Sequence, residues 1–270
     1  MKKIAGLLLL AVSLAPSVFA TGFTDNFDSI DPAWVTDRYE PAGFTSAFFD
    51  GDNRLKIDIS TADSSANRPG AYSGTFYNTQ GRKRPASITG PWTVSGDLYV
   101  SSDMTDLKNL RRTDLWARTS PDGMEPNADY PIFGVAQFDP SDPFDPSSSN
   151  MESVWRVWDP EAGTSSGWVN LPTAVTDGWH DLKVTGDSGE YKFYLDNMLV
   201  YTDTTSIDAE ALTTVFAQAY NFGNDDYSVY WDNISATEGS NVSTPDSGST
   251  AVLVSAGFSC LMFIRQKLKR

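Results

Sequence analysis

Between residues 54 and 236, short runs of β-branched and aromatic side chains recur, each closed by a cluster of Gly, Pro, Asn, Asp or Ser. No stretch there keeps a 3.6-residue apolar period. This constrains the chain more than any single motif, because strands need a two-residue alternation and turns need residues that tolerate a tight backbone. The acidic residues point the same way: only seven of the 35 are Glu, and Asp favours turns where Glu favours helices. The spacing predicts strands over 54–60, 92–100, 111–119, 131–138, 153–158, 179–184, 191–196, 198–202, 213–222 and 228–236. Leu195-Asp196-Asn197-Met198 reads as a tight hairpin. The one helical turn expected lies around 208–212. Many short strands without helices predict an all-β fold, an antiparallel two-sheet sandwich.

Both ends read as delivery segments. Met1-Lys2-Lys3 is positive, 4–14 is apolar and Val18-Phe19-Ala20 is a small-residue cleavage site, which together make a secretory signal peptide over 1–20. At the other end, 251–264 is apolar and is followed by a basic cluster from Arg265 to Arg270. As a helix this stretch is about 21 Å long against the roughly 30 Å of a bilayer core. It spans only if Ser249 and Thr250 at one end and snorkelling Lys and Arg stems at the other complete it. The basic cluster fixes the tail on the cytoplasmic side, so everything before Thr244 lies outside the cytoplasm. Pro245-Asp246-Ser247-Gly248, the apolar span and the basic tail resemble the PEP-CTERM sorting signals read by exosortases in Gram-negative bacteria, in a variant with Pro-Asp-Ser-Gly for Pro-Glu-Pro. The resemblance implies an exosortase-like processing enzyme as partner and a transient inner-membrane anchor through a C-terminal transmembrane sorting helix. It also implies cleavage near the motif and delivery to the cell surface or an exopolysaccharide matrix. A plain single-span anchor is the alternative. Between the ends stand one domain, 21–238, and a short tether, 239–243, before the sorting signal 244–270.

The only cysteine, Cys260, falls in the apolar tail, so the domain must hold together by burial. With the ends removed, 14 basic side chains face 34 acidic ones, a net of −20. Such a surface disfavours nucleic acid and anionic membranes. It also disfavours polyanionic polysaccharides, unless a local basic patch or bridging cations intervene.

Four segments resemble the concanavalin A-like jelly rolls: Asp25-Asn26-Phe27-Asp28, Gly178-Trp179-His180-Asp181-Leu182, the hairpin from Tyr194 to Tyr201, and Trp231-Asp232-Asn233-Ile234. That group includes laminin-G-like modules, legume-lectin-like domains and laminarinase-type glycoside hydrolases. The resemblance implies a jelly-roll fold and an association with carbohydrate. It also implies a structural Ca²⁺ where the first and last strands meet, with Asp25, Asp28 and Asp232 as ligands; solvated strand ends are the other reading. The Asp-Pro cluster 139–146 lacks the Gly and Glu of an EF-hand and reads as a stiff loop.

The laminarinase-type hydrolases carry E-x-D-x-x-E on one strand, and no two glutamates here are five apart. Linear signatures of the jelly-roll lyases, which need a His or Tyr base and Arg, Gln or Asn to neutralise a uronate, are also missing. His180 is the only histidine and reads as the opening of a strand. Period-2 spacing puts Arg112, Asp114, Trp116 and Arg118 on one strand face. Likewise Arg156 and Trp158 share a face, as do Phe216, Gln218, Tyr220 and Phe222. Aromatic rings cover the apolar faces of sugars and planar polar groups reach their hydroxyls, so Arg112, Asp114, Trp116, Arg118, Arg156, Trp158, Gln218 and Tyr220 are the candidate ligand-binding residues. The expectation is a non-catalytic protein that binds extracellular polysaccharide or builds the matrix. The alternatives are a glycoside hydrolase or lyase whose carboxylates come from separate strands, and an adhesive protein with a protein partner.

Overall fold

The computed structural model describes residues 22–106, 109–120, 128–138, 151–164, 167–204 and 211–239. The signal peptide, the sorting motif Pro245 to Gly248, the apolar tail and the Asp-Pro cluster lie outside the described residues. So does 208–210 of the expected helical turn, while Ala211 and Leu212 open a strand instead. Among the described residues no helix is long and apolar enough to cross a membrane.

The strands in chain order are β1 (Phe23–Asp25), β2 (Val35–Thr36), β3 (Gly43–Phe49), β4 (Asp52–Ile59), β5 (Thr79–Thr89), β6 (Trp92–Val100), β7 (Arg112–Thr119) and β8 (Ile132–Phe138), followed by β9 (Glu152–Trp158), β10 (Trp168–Asn170), β11 (Gly178–Asp187), β12 (Glu190–Leu195), β13 (Met198–Asp203), β14 (Ala211–Tyr220) and β15 (Tyr227–Glu238). They form two antiparallel sheets. One runs β13-β12-β11-β6-β15-β4-β3 with β1 added beside β15; the other, seven-stranded, runs β10-β9-β8-β7-β14-β5-β2. Neighbours that are distant in sequence, such as β6 with β15 and β7 with β14, make the topology non-sequential. Three hairpins turn on two residues with positive φ: Asp50-Gly51, Ser188-Gly189 and Asp196-Asn197. These primed turns match the right-handed twist of the strands they join.

Alternation builds the core. On β7 the residues Thr113, Leu115 and Ala117 point inward, and on β9 Trp155 and Val157 do so; they meet Leu98, Val184, Phe193 and Trp231 of the opposing sheet. Phe133 of β8 and Phe193 of β12 touch edge-to-face across the interface, 5.9 Å between centroids. Trp231 Nε1 donates to Thr113 Oγ1 at 2.9 Å, and that hydroxyl donates to the Gln218 carbonyl at 2.8 Å. The two sheets are thereby bonded through the middle of the core.

The strand β5 was not expected. Its sequence TQGRKRPASIT carries four charge-bearing or proline positions that break any apolar pattern. Pro85 lies opposite Thr214, where the β5–β14 ladder shifts register, so its missing N–H falls at an irregularity. Arg82 and Arg84 reach Glu40 and Asp25 at the flank of the sandwich.

Gly186 on β11 shows how tightly the core is filled: a Cβ there would lie 2.3 Å from the Trp92 ring. Gly186→Ala should therefore lower the stability by about 1–3 kcal/mol through overpacking, read as a shift of the urea midpoint. An unchanged midpoint would mean that Trp92 repacks freely.

Candidate functional site

Side chains paired across an antiparallel ladder project to the same face, so the register of the seven-stranded sheet sorts its outer face into rows. One row runs Gly81, Gln218, Asp114, Gly134, Arg156 and Asn170 across β5, β14, β7, β8, β9 and β10. The adjacent row opens on Lys83 and is then apolar: Phe216, Trp116, Ile132, Trp158 and Trp168. On the other side of the polar row Tyr220 lies beside Arg112, whose guanidinium is 5.3 Å from the ring centroid. Gly81 and Gly134 have no room for side chains. A Cβ on Gly134 would come within 2.6 Å of Asp114 Oδ1, and one on Gly81 within 2.8 Å of the Gln218 Cα.

The polar row is buried although it faces away from the core: Asp114 is 1% exposed and Gln218 0%. Arg112 donates through Nε to Asp114 Oδ2. Arg156 stacks on Trp168 at 3.9 Å, and Arg112 lies over the same ring at 4.6 Å. Burial first, and then the neighbouring Arg112 charge, push the Arg156 guanidinium down to about 9, while Asp114 opposes the shift. The pair therefore holds two cationic heads around one carboxylate. Asp114 Oδ1, Gln218 Oε1, Arg156 Nε and Trp116 Nε1 are buried without a hydrogen-bond partner among the described residues. Native proteins leave few such groups, and here four sit together. The arrangement can bind an anion at the guanidinium pair and present it to the Tyr220 hydroxyl.

A roof of loops flanks the rows. Asp37 accepts from Gln218 Nε2 at 3.1 Å and pairs with Lys83 at 3.2 Å. Arg38 lies over Trp116 at 4.8 Å. Its guanidinium is shifted down by burial, an effect reinforced by Arg112 and opposed by Asp37. Asn78 Nδ2 donates to the Tyr220 hydroxyl at 3.3 Å. Below the rows, Tyr227 OH donates to the Tyr220 carbonyl at 2.6 Å and lies 3.4 Å from the Arg112 amide. Burial raises the Tyr227 phenol above its ordinary value, with the bonds to Arg112 and Tyr220 acting against the shift.

All eight candidate ligand residues thus fall on one face. Arg112, Asp114, Arg156, Gln218 and Tyr220 are gathered; Trp116 and Trp158 stand in the aromatic row. Arg118 is not part of the group. It lies at the far end of β7, where its Nη1 donates to Thr213 Oγ1 at 3.1 Å, and Arg156 from β9 holds the place beside Arg112. Phe222 lies beyond the end of β14. Asp37, Arg38, Asn78, Trp168 and Tyr227 were missed. Register with β9 would have found Trp168, whereas the loop residues carry no periodic signal.

The three aspartates expected to hold calcium are not brought together. Asp25 is buried and already accepts from the Phe27 amide at 3.0 Å, Trp34 Nε1 at 2.8 Å and Arg84 at 3.0 Å. Asp28 is exposed and accepts from Asn26 Nδ2 at 2.7 Å. Asp232 points to the outer face of the other sheet, in a row with Asp181 and Asp97. There it lines a cavity of about 400 Å³ with Asn26, Asp52, Arg54 and Asn233. Its partner is the Arg54 guanidinium. Burial raises the Asp232 carboxyl above the usual carboxylate value, against the pull of the Asn233 amide and Arg54. Among the described residues no three acidic or imidazole side chains are grouped to hold a metal. These three residues do not fit a calcium ion, because Arg54 already supplies the positive charge at Asp232 and Arg84 at Asp25. His180 lies on the same sheet as Asp232, with Nδ1 2.9 Å from Asp196 and Nε2 2.9 Å from the Thr176 carbonyl.

No family model matches the chain, and no curated protein matches it in sequence. Solved structures of similar shape exist at low identity. One is an endo-β-1,4-glucuronan lyase from the fungus Trichoderma reesei, 12% identical over 80% of this chain and 95% of that one, with a TM-score of 0.47. An alginate lyase bound to alginate trisaccharide is 9% identical over 81% and 98%, with a TM-score of 0.49. A Bacillus licheniformis β-glucanase is 12% identical over 81% and 98%, with a TM-score of 0.45. All three are described as enzymes that act on polysaccharide, against the expectation of a non-catalytic protein, which had rested on missing linear motifs. The groups in the polar row come from separate strands, an arrangement that a linear motif does not register.

Tyr227→Phe should cost about 1–3 kcal/mol by leaving a buried carbonyl and amide without their shared hydroxyl. Urea unfolding measures it. A variant as stable as the parent would show that the hydroxyl holds neither strand.

Proposed function

We propose that this protein is a polysaccharide lyase that cleaves a uronate-bearing polysaccharide by β-elimination on the outer face of the seven-stranded sheet. One observation carries the reading: Arg112, ion-paired to Asp114, and Arg156, both poorly exposed, lie over the same Trp168 ring, with the Tyr220 ring 5.3 Å from the Arg112 guanidinium. A uronate carboxylate docked on the guanidinium pair supplies the second negative charge that the pair lacks. Neutralising that carboxylate acidifies the adjacent C5–H bond, because the electron pair released there delocalises into it. The Tyr220 oxygen takes the C5 proton as its own hydroxyl proton passes to O4; the C–H electrons form the C4=C5 double bond and the C4–O4 bond breaks. The departing oxygen leaves with its electron pair and is protonated, the phenol being the proton donor at hand. Donors aimed at a developing charge act before it forms and need no reorganisation. The aromatic row from Phe216 to Trp168 supports flat packing of neighbouring sugar units.

Hydrolysis fits less well. It needs two carboxylates about 5–10 Å apart, one of them a proton donor. Asp114 is bonded to Arg112, and Asp37 of the roof to Gln218 and Lys83, so each already answers a donor or a cation. The two-sheet topology supports a concanavalin A-like jelly roll as the fold. The signal-peptide-like start and the PEP-CTERM-like end support action beyond the inner membrane, at the surface or in the matrix of a Gram-negative bacterium.

Incubation with polyuronates should give products bearing a C4=C5 double bond, seen as ultraviolet absorbance. Arg156→Gln should lower kcat/KM by about 10²-fold or more, as for the loss of one preorganised donor. New reducing ends without the chromophore would identify a hydrolase and end this reading. Uronate affinity should also fall as the pH rises through about 9. The depressed guanidinium is cationic below that value and loses its charge above it.

A further inference from the structure

The roof carries a second, open cavity next to the polar row, of about 520 Å³, lined by Thr36, Arg38, Tyr39, Glu40, Asp63 and Tyr72 among others. Arg38 belongs to both places: its guanidinium covers the Trp116 ring on one side and the Phe76 ring, at 4.3 Å, on the other. The cavity therefore continues the aromatic row past β14.

Its chemistry differs from that of the guanidinium pair. Tyr39 and Tyr72 form an aromatic wall, 5.5 Å between centroids, and Tyr72 is 41% exposed with Tyr77 braced behind it at 5.1 Å. The charges on the wall are balanced. Glu40 is held by both Arg82 nitrogens and by the Thr36 hydroxyl, and Arg38 stands 3.5 Å from Asp37. The Asp63 carboxylate faces the Arg68 charge and accepts no hydrogen bond among the described residues. Aromatic faces, a balanced rim and one carboxylate with acceptor capacity to spare match an uncharged ring bearing hydroxyl donors. Arg38, the cation of the lining, stands 3.5 Å from Asp37 and faces the acidic Glu40 and Asp63 of the same lining, which disfavours a second uronate.

We infer that this cavity is a subsite for a neutral sugar unit of the polymer whose uronate binds Arg112 and Arg156. The substrate class is then a heteropolysaccharide in which uncharged units stand near uronates, rather than a homopolymeric polyuronate. This inference rests on the lyase reading for the place of the uronate, but the subsite is tested without turnover.

The full chain is titrated calorimetrically with an uncharged β-glucan tetrasaccharide and, separately, with a polyuronate tetrasaccharide. The neutral probe should bind the parent, and Tyr72→Ala and Asp63→Asn should each weaken it by about tenfold, the worth of one good contact. The same changes should leave the affinity for the uronate probe within about twofold. Tyr72→Phe, which keeps the ring, should bind the neutral probe as the parent does, and it guards against a variant that merely misfolds. A neutral probe that fails to bind, or binds all the variants alike, overturns the subsite. So does a uronate probe weakened equally by both changes. Failure to cleave any uronate-bearing polysaccharide, those with neutral units included, would end the lyase reading, while the neutral-sugar titration still decides the subsite by itself.

Discussion

The pairing of β7 with β14 is the constraint on which the rest depends. It puts Asp114 opposite Gln218 and Trp116 opposite Phe216. A slip of one residue would turn every polar side chain of the face into the core and every core residue out to solvent. Three contacts hold the register: Thr113 bonded to the Gln218 carbonyl, Trp231 bonded to Thr113 from the opposite sheet, and Tyr227 joining the ends of both strands. Each lies in a water-free interior, where an unmade hydrogen bond costs more than a made one returns. Core packing and the order of the outer face are therefore one problem with one solution.

The outer face concentrates unmet electrostatic demand. Two arginines around one aspartate, walled by tryptophans and close to a third arginine, form an assembly that a purely structural surface would relax by moving its side chains into solvent. Burial prevents that relaxation. The guanidinium of Arg156 responds by holding its proton less firmly, and single atoms of Asp114, Gln218 and Trp116 have no partner among the described residues. Preorganisation of this kind is stored in the folding of the strands, so it is ready when a ligand arrives.

Strand identity was legible because it rests on local alternation. The stretch from Trp92 to Val100 and the hairpin at Asp196-Asn197 could be read from neighbours alone. The face partners of Arg112, Trp116, Arg156 and Gln218 were also legible within each strand, since period-2 spacing needs no tertiary information. Which strands lie side by side was not legible. Arg156 replaces Arg118 next to Arg112 because β8 and β9 follow β7 in the sheet, a matter of topology. β5 was hidden because Lys, Arg and Pro interrupt its pattern, and its charges are answered by Glu40 and Asp25 from distant loops. Asp37, Arg38 and Asn78 sit in irregular segments, where sequence carries turn chemistry but no direction. The calcium set failed for a similar reason: residues near in the ladder turned to opposite sides of their strands, and arginines arrived as their counterions.

The outer face of one sheet carries the row Asp181, Asp97 and Asp232, answered in part by Arg54, and that of the other carries Arg112 and Arg156 around Asp114. On a domain of net charge −20 an anionic polymer is repelled on average, and the guanidinium pair is the local exception to that field. Added salt shortens the reach of that repulsion to roughly 10 Å at 0.1 M, and the local exception then counts for more.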